Sequence, residues 1–230
     1  MRPKVALLYV GGALGIETNR KTGKIDPVES LGEIQRLMPE IQREASLTFI
    51  PIADVESPEV SPEHWLSLAK TIENHYDQFE GFVIIHGTNT LTYTACALAF
   101  ALQGLSKPIV LTGALLPINE TGSDFRSNLT FAIRTALLDI AEVCVVLGTT
   151  ILRGCRSKKV REAVGETFGS TRFPPLGKFT RTFELHPWRM VRRKRSLECK
   201  PAFDAAVTML TLHPGLPESL LQATLDAGLN

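Results

Sequence analysis

The sequence predicts an α/β fold in which a doubly wound, mostly parallel sheet is flanked by helices. Short apolar runs of strand length alternate with longer segments of helical character, which is typical of βα units. The run Phe82 to Ile85 is bulky and apolar throughout, as expected of a strand buried on both faces. Polar or glycine-rich turns follow these runs, at the ends where open α/β sheets bind ligands.

The predicted strands share a short apolar core: Val5 to Val10, Ser46 to Ile50, Phe82 to Ile85, Pro108 to Leu111 and Val143 to Leu147. The predicted helices between them are Ser30 to Leu37, Ser61 to His75, Leu91 to Leu102 and Ser123 to Ile140. Ser30 with Glu33 forms a capping box, and Pro62 follows the capping Ser61.

The outer side of the helix that begins near Ser123 is predicted from its polar residues. Asn128, Arg134 and Asp139 are expected to face water. The helix then presents its remaining apolar residues to the sheet.

The first predicted strand has an alternative interpretation. The basic start and the apolar run that ends at Ile16 are similar to a signal peptide with a cleavage site at Ala13-Leu14-Gly15. We favour the strand, because the βα series needs a strand at its N-terminus.

The domain organisation is predicted from a change of composition after Thr150. Residues 1–160 are expected to form the α/β domain, and residues 161–203 a hairpin and linker. Residues 204–230 are expected to form the truncated start of a second α/β domain, with a strand from Ala205 to Thr211 and a helix from Pro217 to Ala227. One strand and one helix cannot bury a core alone. The alternative to a truncated second domain is that this unit packs on the first domain or on a partner chain.

Composition excludes several function classes. The net charge of +1 gives no general attraction to nucleic acid or to membranes, and the basic run Arg192 to Arg195 is short and isolated. No apolar run reaches membrane-spanning length. The four cysteines are far apart in sequence, which argues against a zinc site or disulfide scaffold and favours a reducing, cytoplasmic location. No metal or other cofactor is predicted.

Two turns are the first candidates for a functional site. The turn Gly11 to Gly15 does not match the dinucleotide-binding pattern, and a P-loop is absent. In the turn His86 to Thr90, a lone histidine is more often a core residue than a catalyst. Thr88 and Thr90 are possible nucleophiles or hydrogen-bond donors.

Three further turns have both a functional and a plain structural interpretation. Glu56 to Glu59 holds two carboxylates and a hydroxyl for a ligand ammonium group, or it is a solvated loop. Thr112 to Ala114 ends a strand and is more simply an ordinary turn. In the loop that begins at Arg153, Lys158 or Lys159 could act as a base if it were desolvated, and a solvated loop is the alternative.

These motifs occur in an order that resembles the bacterial-type L-asparaginases, amidohydrolases that convert L-asparagine to L-aspartate and ammonia. The resemblance begins at about Lys4 and extends to the end of the sequence. It is carried by Val10 to Gly15, Gly81 to Ala95, Lys107 to Ala114, Ser123-Asp124 with Asn128, and Arg153 to Lys159. So many ordered matches make chance similarity very improbable.

The resemblance implies a site with two parts. The position of the family's nucleophilic threonine is Ala13, and its Thr–Asp–Lys set falls on Thr88, Asn89 and Lys159. The positions implied for substrate binding are Gly12, Ser57, Gly87, Thr88, Asn89 and Ala114, with a lid position at Lys24. It also implies a small amino-acid or amide ligand and a homo-oligomer, either a dimer or a tetramer.

Two substitutions depart from the family pattern. Ala13 has no hydroxyl and cannot attack a carbonyl, and Asn89 cannot hold an ammonium group by charge. We therefore expect an impaired amidohydrolase domain that retains a small-ligand site. The alternatives are a working amidohydrolase that uses Thr88 and Lys159, and a protein-interaction module without catalysis.

Overall fold

The computed structural model describes residues 2–12, 16–18, 25–27, 31–118, 120–164, 167–170, 172–204 and 207–228. Its centre is an eight-stranded sheet. From one edge to the other, the strands are Phe183–Leu185, Gly177–Phe179, Thr150–Arg153, Val143–Leu147, Ile109–Thr112, Gly81–Ile85, Lys4–Tyr9 and Ser46–Pro51. The strands from Ser46–Pro51 to Val143–Leu147 pair in parallel, and the remaining three pair antiparallel. The prediction of a mostly parallel α/β sheet is confirmed.

Helices cover both faces of the sheet. Leu31–Leu37 and Phe125–Thr135 pack on one face, and Pro62–His75 and Leu91–Ala101 pack on the other. The first strand serves both layers, because alternate side chains point to opposite faces: Leu7 enters one core and Leu8 the other. None of the helices in the described part of the chain has the length and apolar character needed to cross a bilayer.

Smaller elements complete the described structure. Short antiparallel pairs join Ile16–Thr18 to Ile25–Pro27, Leu102–Gln103 to Glu198–Cys199, and Lys158–Lys159 to Phe168–Gly169. Short 3₁₀ helices lie at Pro39–Arg43, Ser57–Glu59, Tyr76–Gln78 and Gly154–Arg156. A last helix, Glu218–Asp226, has no buried residue.

The order of the strands creates a switch point at the first strand. Lys4–Tyr9 lies between Ser46–Pro51 on one side and Gly81–Ile85 on the other. The chain moves outward to the edge strand first and later returns to the opposite side of the first strand. The carboxyl ends of Lys4–Tyr9 and Gly81–Ile85 are therefore adjacent where connections diverge, which is where open α/β sheets bind ligands.

The structure corrects the interpretation of the helix predicted from Ser123 to Ile140. The helix spans only Phe125–Thr135, and Asn128 is fully buried rather than facing water. Arg134 is only partly exposed and pairs with Glu44, whereas Asp139 is exposed beyond the end of the helix. The error with Asn128 arises because a polar residue on a helix was assigned to solvent without knowledge of its hydrogen-bond partners.

The segment after Thr150 contains a hairpin that joins the central sheet. Gly177–Phe179 and Phe183–Leu185, within the hairpin and linker expected at residues 161–203, pair antiparallel and extend that sheet. Residues 207–211 form no strand, although residues 205–211 were predicted to form one, and residues 205 and 206 lie outside the described residues. The pattern Val207-Thr208-Met209 has strand character, but a strand forms only where its backbone finds a pairing partner.

Candidate active site at the switch point

Two backbone turns, Gly11–Gly12 and His86 to Thr90, meet at the carboxyl ends of the strands Lys4–Tyr9 and Gly81–Ile85. We call them the switch-point turns. Gly12 has a φ of +92°, and a Cβ added to it would lie 2.4 Å from the Cα of Gly87. Gly113, at the end of the strand Ile109–Thr112, also packs closely against the turn from His86 to Thr90. A Cβ added to it would lie 2.5 Å from the carbonyl oxygen of His86 and 3.2 Å from Thr88 Cγ2. The turns pack backbone to backbone, an approach that side chains at these glycines would prevent.

Ser57 holds the turn from His86 to Thr90 in place through hydrogen bonds. Its hydroxyl donates to the carbonyl oxygen of Gly87 at 2.8 Å and accepts the backbone N–H of Thr90 at 2.9 Å. The Thr90 hydroxyl donates to the carbonyl oxygen of Ser57 at 2.6 Å. The hydroxyls of Ser57 and Thr90 are therefore engaged in holding the turn, which leaves Thr88 as the hydroxyl of this turn that faces Lys159.

Lys159 brings a positive charge to the turn. Its ammonium nitrogen lies 3.4 Å from Thr88 Oγ1 and 2.7 Å from Asn89 Oδ1. It also lies 2.5 Å from a carboxylate oxygen of Glu162, a residue that the sequence analysis did not select. An ammonium group has three N–H donors, so each of these acceptors can take one. Lys158, the other candidate base, is exposed.

His86 is a buried structural residue. Its Nδ1–H donates to the carbonyl oxygen of Gly87 at 2.8 Å, and its Nε2 accepts the hydroxyl of Thr94 at 2.8 Å. Trp65 Nε1–H donates to the same hydroxyl at 2.9 Å. Burial lowers the pKa of His86 from 6.5 to about 4, so the ring is neutral at pH 7. This series of hydrogen bonds, from Trp65 through Thr94 and His86, fixes the carbonyl group of Gly87.

The buried His86 makes the fold sensitive to acid. Its pKa is 6.5 when unfolded and about 4 when folded, so the unfolded state binds the proton first as pH falls below 6.5. We expect the free energy of unfolding to drop by about 2 kcal/mol from this group between pH 7 and pH 4.5. Urea denaturation at both pH values should reveal this loss, and His86→Gln should reduce it. A matched replacement of the exposed His213 should leave the loss unchanged. An equal loss in the parent protein and in both variants would contradict the prediction.

The buried side chain of Asn128 connects the ends of two neighbouring strands through hydrogen bonds. Its amide nitrogen donates to the carbonyl oxygen of Gly113 at 2.8 Å and to the carboxylate of Asp124 at 2.9 Å. Its amide oxygen accepts the N–H of Gly148 at 2.9 Å. Asp124 also accepts the N–H of Leu115 at 3.0 Å. One buried side chain therefore ties the ends of Ile109–Thr112 and Val143–Leu147 together.

The predicted site residues fall into three groups. The structure brings together six of them: Gly12, Ser57, Gly87, Thr88, Asn89 and Lys159. Ala114 directly follows Gly113, and its side chain is buried in the core. Ala13 and Lys24 lie outside the described residues.

The remaining candidates are structural or solvated. Glu56 and Glu59 are exposed, and the backbone N–H of Glu56 donates to Glu59 Oε2 at 3.0 Å. No group of three or more His, Cys, Asp and Glu residues in the described ranges is arranged to hold a metal ion. Glu162 could be found from sequence only as a carboxylate three residues after Lys159.

The chain matches known proteins over most of its length. A family model described as "Asparaginase, N-terminal" matches residues 4–189. L-asparaginase 1 of Escherichia coli K12 is 33% identical over 233 residues, covering 96% of this chain and 67% of that protein. A glutamyl-tRNA(Gln) amidotransferase subunit of Thermococcus kodakarensis is 32% identical over 237 residues, covering 98% of this chain. The chain spans 54% of that amidotransferase polypeptide, about half its length.

A solved structure has the same fold. L-asparaginase I from Vibrio cholerae superposes with a TM-score of 0.85 at 30% sequence identity. The similarity covers 98% of this chain and 69% of the other. The switch-point turns described above therefore belong to a fold that is shared over nearly the whole of this chain.

Proposed function

Because this chain belongs to the asparaginase family of amidohydrolases, we propose that its switch-point turns bind a small amino acid or amide and hydrolyse it poorly. The observation that carries the proposal is the cluster of Thr88, Asn89 and Lys159, which is assembled within hydrogen-bonding distance. The chain has alanine at position 13, where the resemblance implies the nucleophile. Thr88 and Lys159 are thus retained, while the attacking hydroxyl is replaced by a methyl group and the carboxylate at position 89 by an amide.

The hydrogen bonds of Lys159 also favour binding over catalysis. A lysine acts as a general base only after it has lost a proton. Here Thr88, Asn89 and Glu162 provide one acceptor for each N–H of the ammonium group. An ammonium group whose three donors are engaged can still attract a ligand's carboxylate by its positive charge, but it has no lone pair with which to accept a proton.

We expect Thr88→Val to weaken binding of L-aspartate about tenfold, because it removes a hydrogen bond next to charged groups and keeps the shape of the side chain. Isothermal titration calorimetry with L-aspartate measures the effect, and Thr182→Val, on an exposed loop, is the matched control. Equal affinity of Thr88→Val and the parent protein would contradict the proposed site.

Impaired hydrolysis needs its own test. Ammonia release from L-asparagine and from L-glutamine should be followed at high protein concentration. We expect turnover far below about one per second, the lower end of ordinary enzyme rates. A rate at or above that level would overturn the proposal of impairment.

A working amidohydrolase is the second candidate function. It is favoured by the 3.4 Å separation of Lys159 Nζ and Thr88 Oγ1, because a lysine that loses its proton there could activate that hydroxyl. Thr88→Ala and Lys159→Met should then each abolish ammonia release. Unchanged activity in both variants would remove this candidate.

We also propose a cytoplasmic location and assembly with further copies of the chain. All four cysteines are free thiols, which agrees with a reducing compartment. The oligomer is implied by the family resemblance, and light scattering after size exclusion would measure it. A monomer across the accessible concentration range would overturn that part of the proposal.

A further inference from the structure

We propose that Glu162 is a positioning residue, whose carboxylate holds the ammonium group of Lys159 against the Thr88-Asn89 turn. This inference rests on the proposed ligand site, to which it adds a residue from a different part of the chain. Of the three acceptors around Lys159 Nζ in the described part of the chain, Glu162 Oε1 is the nearest, at 2.5 Å, and the only one with a charge.

The surroundings of Lys159 explain why a carboxylate is needed. The Lys159 side chain is only 19% exposed, whereas that of Glu162 is 76% exposed. A charge withdrawn from water loses hydration, and it is stabilised there by an opposite charge and hydrogen bonds. Asn89 offers a carbonyl oxygen but no charge. Glu162 therefore provides the negative charge that the family pattern has at position 89.

The loop that carries Glu162 is held at its base. Lys158–Lys159 pairs with Phe168–Gly169, and the N–H of Val160 donates to the carbonyl oxygen of Thr167 at 2.9 Å. The hydroxyl of Thr167, a buried residue, donates to the carbonyl oxygen of Ala163 at 2.9 Å. Contacts on both sides of Glu162 thus set its backbone position, and its carboxylate approaches Lys159 from the hairpin.

The charge of Glu162 is coupled to that of Lys159. The hydrogen bond and the positive charge of Lys159 lower the pKa of the Glu162 carboxyl below its ordinary value of 4.5. The carboxylate is therefore ionised at neutral pH, where the pair forms. In this chain the negative charge that pairs with Lys159 lies on the hairpin, at Glu162, and not on the turn, at position 89.

Moving the charge back tests the proposal. We would compare the parent protein with Glu162→Gln, Asn89→Asp and the double variant Glu162→Gln/Asn89→Asp. Carbon-13 relaxation of the Lys159 ε-methylene group, measured without ligand, reports whether this side chain is held. We expect it to be ordered in the parent, mobile in Glu162→Gln, and ordered again in the double variant. Order that persists in Glu162→Gln, or is not restored by Asn89→Asp, would overturn the proposal.

Ligand binding provides the second readout. Glu162→Gln should weaken L-aspartate binding about fivefold, the effect of one partly exposed ion pair. The control is Glu198→Gln, which removes an exposed carboxylate paired with Lys200 at 2.6 Å. Unchanged affinity in Glu162→Gln would overturn the role of Glu162 in the site. If no protein in the series binds L-aspartate, the proposed function fails, and the mobility of Lys159 still decides the role of Glu162.

Discussion

The double variant Ala13→Thr/Asn89→Asp should release ammonia from L-asparagine at least about a thousandfold faster than the parent protein, since loss of a nucleophile costs enzymes several orders of magnitude in rate. Threonine at position 13 supplies the hydroxyl that the family pattern has there. Aspartate at position 89 restores a carboxylate beside Lys159, whose nitrogen already lies 2.7 Å from Asn89 Oδ1. A continuous assay of ammonia release measures the change.

Controls separate a restored reaction from contamination. Adding Lys159→Met to the double variant should return the rate to the parent level, because the Thr–Asp–Lys set is broken again. Ala13→Thr alone should give a smaller gain, since Asn89 remains neutral. If the double variant is no faster than the parent while L-aspartate still binds, then positions 13 and 89 do not limit the rate.

Gly12→Ala should destabilise the protein by about 3 kcal/mol and abolish ligand binding, because it combines a strained backbone with a steric clash. Gly12 has a φ of +92°, which a side chain disfavours. An added Cβ would also lie 2.4 Å from the Cα and 2.5 Å from the N of Gly87. These are backbone atoms, so relief requires that the two turns move apart.

Gly122→Ala is the matched control for this prediction. Gly122 has a φ of +84°, and a Cβ added to it meets no described atom within 4 Å. This variant should cost about 1 kcal/mol, the conformational penalty alone. Urea denaturation gives both free energies of unfolding. Similar losses in the two variants would mean that contact between the turns contributes little.

Much of the fold could be predicted from local sequence. The strand Gly81–Ile85 is fully buried, as its unbroken apolar run indicates. The helix Pro62–His75 begins directly after Ser61, where a capping serine and a proline predict a start. Such signals lie within a few residues of one another and need no knowledge of tertiary contacts.

The residues that the sequence analysis misassigned or did not select make contacts that are defined only by the folded chain. The amide of Asn128 reaches Gly113 and Gly148, so its burial follows from where those backbone groups lie after folding. Glu162 meets Lys159 because the hairpin with Phe168–Gly169 bends the chain there. Its position three residues after Lys159 does not by itself predict this contact.

The unequal burial of the site residues bears on how such a domain can evolve. The groups that build the turns, His86 and Asn128, are fully buried, whereas Asn89 and Glu162 are exposed. Exchanges at exposed positions usually change stability by only a few tenths of a kcal/mol. Charges around Lys159 can therefore be added, removed or moved without loss of the buried contacts that build the turns. The fold and the chemistry of this site can change independently of each other.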